Sequence, residues 1–201
     1  MVSILTGDVI NSKKVKPDVW LLSLRKILSE YANENEQWEI FRGDSFQVEV
    51  ELTKALELAF KIKLAMKQHE LIDVRIAIGL GKKTFKSKKI TESNGTAFIN
   101  SGECFENLKK STLALKSSNK DFDYTINTMI QLASLTMNSW TVNSIKLIKV
   151  ALDNPELNQN KIAELLNKSQ STISEGLKRS GFDELQQMLN YYEYKVNNTQ
   201  W

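Results

Sequence analysis

The chain is expected to fold as an α+β sheet domain followed by an all-α domain. Three observations predict this. Strict alternation of Phe46, Val48 and Val50 with Gln47, Glu49 and Glu51 marks a strand with one wet face. Amphipathic helical stretches are interleaved with such strands only as far as Lys116. Beyond that point the periodicity is helical alone. The boundary is placed between residues 1–120 and residues 121–201.

Taken in order, Met1 to Ile10 is an apolar strand ending near Thr6-Gly7-Asp8. Asn11 to Lys16 is a polar loop, and Pro17 is suited to a helix start. Trp20, Leu24, Ile27, Leu28 and Tyr31 share a helical stripe. After the polar break Asn33 to Gln37, Trp38 to Glu51 forms a hairpin turning at Arg42-Gly43-Asp44-Ser45. Leu52 to Gln68 is a second helix, Asp73 to Leu80 a strand, Gly95 to Lys110 a helix and Ser111 to Lys116 a last strand. The order β-α-β-β-α-β-α-β predicts a ferredoxin-like antiparallel sheet with helices on one face.

Phe122 to Trp140 predicts a long helix, and Val142 to Leu152 another, broken at Asp153-Asn154-Pro155. Two short helical patterns follow. Ile162, Ala163 and Leu166 share one face of the first, and Ile173 and Leu177 one face of the second. Asn167-Lys168-Ser169 is the turn, with Ser169 as N-cap. This spacing predicts a helix-turn-helix, whose second helix enters the major groove of double-stranded DNA. Gln170, Ser171 and Thr172 then stand where base edges are met, Lys168, Lys178 and Arg179 where phosphates are, and Ser174 is a further DNA-binding position. A plain helical hairpin is the alternative. A closing amphipathic helix carries Phe182, Leu185, Met188, Leu189, Tyr192 and Val196. It either caps the small domain or supplies a homodimer contact.

Bulk properties exclude several classes. Apolar content of 41% and charged content of 25% are those of a globular protein. No run is long and apolar enough to span a membrane, and the N-terminus lacks a signal-peptide pattern. A single cysteine, Cys104, allows no internal disulfide and fits a cytoplasmic location. A single histidine, His69, is expected to be solvated and excludes a histidine-rich metal site, so any metal must be held by oxygens. The net charge of +3 does not by itself announce a nucleic-acid partner. The Lys-rich stretch Gly81 to Asn94 is expected to be a solvated loop or edge strand, with a phosphate- or DNA-facing role as the alternative.

Asp8 ends the first strand and Asp44 lies in the hairpin turn, so the topology can bring the two carboxylates together. Two such oxygens can hold Mg²⁺ with substrate phosphates. Aspartate is equally common at strand ends and in turns, so the residues alone leave both roles open.

The strand ending in Asp8, the hairpin Phe41-Arg42-Gly43-Asp44-Ser45-Phe46, the strand VRIAIGLG and the segment NGTAFINSGECFENL resemble, in that order, class III nucleotide cyclases. With Trp140-Thr141 leading into the helical half, the chain is more similar still to the SatD family, over nearly its whole length. The resemblance implies a nucleotide cyclase-like domain in which Asp8 and Asp44 bind Mg²⁺ beside a nucleotide. It also implies departures. Ile40 stands where cyclases carry a base selector, and Asn100 matches a family asparagine. Cys104 occupies the position of a transition-state arginine, which a neutral thiol cannot replace. Arg42 or a loop lysine would have to substitute, and nothing in the sequence shows that either does. The expectation is therefore a DNA-binding transcription regulator with a degenerate, nucleotide-sensing domain. The alternative is an active cyclase or related phosphoryl-transfer enzyme.

Overall fold

The computed structural model describes residues 1–201. Five strands form one sheet: β1 (Val2–Ile10), β2 (Trp38–Phe41), β3 (Ser45–Val50), β4 (Asp73–Gly81) and β5 (Leu113–Lys116), in the order β2-β3-β1-β4-β5. Eight α-helices accompany it: α1 (Pro17–Tyr31), α2 (Ala55–Lys67), α3 (Thr96–Glu106), α4 (Lys120–Met137), α5 (Val142–Asp153), α6 (Gln159–Leu166), α7 (Gln170–Ser180) and α8 (Phe182–Asn198). No helix is long and apolar enough to cross a membrane.

The register explains which side chains meet. β1 lies between β3 and β4 and is antiparallel to both, with Asp8 opposite Ser45 on one side and Arg75 on the other. Because side chains alternate, Leu5, Val9, Phe46, Val48, Val74, Ile76 and Ile78 enter one core with Trp20, Leu24 and Leu28 of α1 and Leu58 and Ile62 of α2. Fully burying such a side chain contributes roughly 1.5–3 kcal/mol before entropy is counted.

Two expectations about the sheet are corrected. It is mixed, because β5 joins β4 in parallel. β4 passes through α3 before β5, and a helical crossover returns the chain in the same direction. Helices also cover both faces: α3 packs on the side opposite α1 and α2. The room for α3 is made by small residues on β4. A Cβ at Gly79 would lie 2.2 Å from both the Ala97 carbonyl oxygen and the Ser101 nitrogen. Element limits shift modestly. α3 stops at Glu106 rather than Lys110, where the chain turns and Lys109 adopts φ 48°. Leu52–Lys54 forms a 3-10 turn ahead of α2.

One unexpected ion lies inside. Lys63 of α2 is fully buried, and its ammonium donates to Asp73 Oδ1 (2.9 Å), Thr112 Oγ1 (2.9 Å) and the Val74 carbonyl (3.3 Å). All three donors are used, and burial draws its pKa downward.

The sheet layer and the C-terminal helices share an apolar cluster. Trp140, Ile145, Ile148, Leu152, Leu185, Met188, Tyr192 and Val196 join the same core as β1 and α2. Polar ties cross here too: Tyr192 donates its hydroxyl to the Leu52 carbonyl (2.7 Å), and Lys61 of α2 pairs with Asp153 of α5 (3.1 Å). Trp140 Nε1 donates to the Ser180 carbonyl (3.0 Å), tying the segment after α4 to the end of α7. Trp140→Phe is expected to lower stability by about 1–3 kcal/mol, because the buried carbonyl keeps no replacement donor; urea denaturation reads this directly.

Candidate functional site

The C-terminal surface is built on three short helices. Leu147 and Ala151 of α5, Ile162 and Ala163 of α6, and Ile173 and Leu177 of α7 form a separate small core. Each helix start is capped by a side chain. Thr141 accepts from Ser144 N–H, Asn158 from Lys161 N–H and Ser169 from Thr172 N–H. The turn between α6 and α7 places Asn167 at φ 51°, where asparagine is tolerated, and Lys168 N–H returns to the Ala163 carbonyl at 2.9 Å. α7 ends at Gly181 with φ 67°, a left-handed cap that lets α8 start at once.

With Ile173 and Leu177 turned inward, the opposite face of α7 is free. Gln170, Ser171 and Thr172 are exposed, and Ser174 is half-buried. The first turn is internally ordered. Gln170 Nε2 donates to Gln159 Oε1 (2.8 Å), and the Ser171 and Thr172 hydroxyls lie 3.0 and 2.8 Å from Ser169 Oγ. Lys168, Lys178 and Arg179 are exposed, and none belongs to an ion pair. A recess of about 620 Å³ between α5, α6 and α7 gathers Lys146, Lys168 and Arg179 with the hydroxyls of Thr141, Ser144 and Thr172. Lys146 was not singled out from sequence; it lines the same recess as Lys168 because α5 packs against α6 and α7, which no local pattern encodes.

The second candidate site is the aspartate pair. Pairing of β1 with β3 brings the main chains together, and Val9 N–H donates to the Asp44 carbonyl at 3.0 Å. The carboxylates have separate partners. Both oxygens of Asp8 accept from Arg75, through Nε at 2.9 Å and through Nη2. The Arg75 guanidinium also lies 5.3 Å over the Phe105 ring, and its hydrogen bond to Asp8 raises its pKa. Asp44 Oδ2 accepts from Ser12 Oγ at 2.5 Å. No group of three or more His, Cys, Asp or Glu side chains is placed to hold a metal ion. Asp8 is already paired with a cation, and Arg75 supplies there the charge that an Mg²⁺ ion would supply. Arg75 was missed from sequence; the register Asp8 opposite Arg75 is the signal that identifies it.

The remaining cyclase-like positions have structural partners. Asn100 donates its amide to the Leu80 carbonyl (2.8 Å), holding α3 against β4. Ile40 packs against the main core. Arg42 sits exposed in the hairpin at φ 52°, without an ion pair. Cys104 is buried with Ala77 and Leu108. The Lys-rich loop is folded back on the sheet edge, with Lys83 on Glu49 (2.5 Å), Lys86 on Glu36 (2.5 Å) and Lys89 on Glu39 (3.6 Å). His69 is not simply solvated: its Nε2 lies 2.9 Å from Ser23 Oγ, and burial lowers its pKa.

Burial pushes the Cys104 thiol up to about 12 from an ordinary value near 9. A raised folded pKa means that its contribution to stability is complete below about pH 9 and is lost as pH rises toward about 12. The native thiol is expected to resist a disulfide reagent at pH 8 and to react promptly after denaturation. Rapid labelling of the folded protein at pH 8 would contradict the burial.

By architecture the molecule is an α+β protein with a mixed five-stranded sheet and eight helices, the last five forming its C-terminal part. The chain belongs to the SatD family, whose sequence profile matches residues 2–188. No curated protein matches it.

Proposed function

We propose that this protein is a cytoplasmic DNA-binding transcription regulator. Residues 121–201 serve as the helix-turn-helix part, and residues 1–120 as a ferredoxin-like, nucleotide cyclase-like domain that has lost efficient catalysis. The carrying observation is the capped helix α7, packed on α5 and α6 through Ile173 and Leu177 with its opposite face exposed and three unpaired cations nearby. Gln170, Ser171, Thr172 and Ser174 meet base edges in the major groove, while Lys168, Lys178 and Arg179 meet phosphates. Lys146 joins the phosphate contacts from α5, lining the same recess as Lys168. A homodimer would read a palindromic site.

The loss of catalysis is supported by Ile40 packed half-buried against the core, Cys104 buried and uncharged, and Asp8 held by Arg75. A second reading retains a Mg²⁺-dependent nucleotide cyclase, because β1 and the β2–β3 hairpin do bring Asp8 and Asp44 to neighbouring strands. Incubation with nucleoside triphosphates and Mg²⁺ separates the two. Turnover lost in Asp8→Ala and in Asp44→Ala would establish the enzyme; no metal-dependent turnover, with salt-sensitive DNA binding, would establish the regulator.

A further inference from the structure

A second recess, of about 480 Å³, opens between α4, the C-terminal end of α7 and α8. Its lining is mixed: the half-buried Met129 and Ala133, the buried Met137, Leu185 and Met188, and Leu132, 62% exposed, form an apolar side, with Thr136 and Ser180 among the polar residues. Three of the chain's five methionines are thus in one wall. Unbranched thioether side chains adapt to flexible apolar ligands. The volume falls within the range of small-molecule sites. The mouth carries Lys178 and Arg179, with Glu184 the one acid among the lining residues, leaving one positive charge in excess. Neither cation has an acidic partner within ion-pair distance. Arg179 also lines the recess between α5, α6 and α7, so one residue belongs to both cavities.

We propose that the α4–α7–α8 recess binds a small anionic amphiphile of the medium-chain carboxylate class. The chain lies on the methionine wall, and the carboxylate pairs with Arg179 and Lys178. Charge selects the head: a cationic or neutral one would leave both side chains unmatched. The ligand also lowers DNA affinity, because the arginine it engages is withdrawn from the neighbouring recess; this second step rests on the DNA-binding function proposed above. A ligand carboxylate paired with Arg179 cancels the positive charge that would otherwise attract a DNA phosphate.

The test uses the full chain and three probes below their micelle-forming concentrations: decanoate, decanol and a decyl-trimethylammonium salt. Calorimetry is expected to show saturable decanoate binding, at least ~10-fold tighter than that of either other probe, as a tenfold difference corresponds to one charge-assisted contact. Lys178→Gln with Arg179→Gln, both at exposed positions, should abolish that preference. Ala133→Trp, which fills the recess, should abolish binding of all three. Equal binding of carboxylate and alcohol, or none of either, would overturn the proposal. So would a self-association that Leu132→Glu disrupts, without decanoate binding, since the recess would then hold a second copy. The regulatory step is read separately: decanoate should weaken DNA binding by the wild type and leave Ala133→Trp unaffected. Decanoate binding by a chain that binds no DNA would overturn the regulatory step and the DNA-binding function while upholding the ligand site. Unchanged DNA affinity at saturating decanoate would overturn the regulatory step alone.

Discussion

Ser171→Glu is expected to lower DNA affinity by at least ~100-fold while leaving the melting temperature nearly unchanged, because the two properties respond oppositely to a carboxylate at this position. Ser171 is exposed in the first turn of α7, beside the Ser169 cap. An acidic side chain there meets the positive end of the helix dipole, which favours the folded state slightly. Facing DNA, the same charge repels phosphates and removes a hydroxyl donor from the base edges. Loss of binding without loss of fold therefore isolates the recognition role. Neutralising a phosphate contact behaves differently. Lys168→Gln or Arg179→Gln should weaken binding to all sequences alike and flatten the dependence of log affinity on log salt by about one unit each. Fluorescence anisotropy at several salt concentrations measures both effects.

Tyr192→Ala is expected to cost about 3–5 kcal/mol, the range for removing a fully buried aromatic side chain. Tyr192 packs beside Phe122, with ring centroids 6.0 Å apart, and its hydroxyl serves the Leu52 carbonyl 140 positions earlier in the chain. Burial pushes its pKa upward, so the neutral phenol is the bound form. Tyr192→Phe keeps the packing and removes only the hydrogen bond, so a loss near 1 kcal/mol is expected. The difference between the two variants is a measure of apolar packing between α8 and the sheet layer. Equal losses would place the coupling in the hydrogen bond alone. Chemical denaturation followed by circular dichroism gives both values.

Local periodicity made most elements legible. The alternation of Phe46, Val48 and Val50 identified β3 and its buried face, and the stripe Trp20, Leu24, Leu28 identified α1. Ser169 marked the start of α7 because an N-cap is local chemistry. What was not legible depends on distant partners. The parallel β5 follows from where α3 crosses, and α3 takes the far face because Gly79 admits its backbone. A lysine in an amphipathic helix gives no sign that Thr112 and Asp73 will bury it, as happens to Lys63. The same holds at the aspartate pair. Asp8 and Asp44 were recognisable from their strand-end and turn positions, but the side chain holding Asp8 comes from β4. Only the strand register identifies Arg75.

The central claim is that the exposed face of α7 recognises DNA. Selection from a library of genomic fragments with the full-length protein, followed by titration at several salt concentrations, tests it most directly. The predicted result is a shared recovered sequence, bound with an affinity that falls as salt rises and is lost in Ser171→Glu. Absence of any enriched sequence, or binding that Ser171→Glu leaves intact, would contradict the claim and move attention to nucleotide chemistry at Asp8 and Asp44.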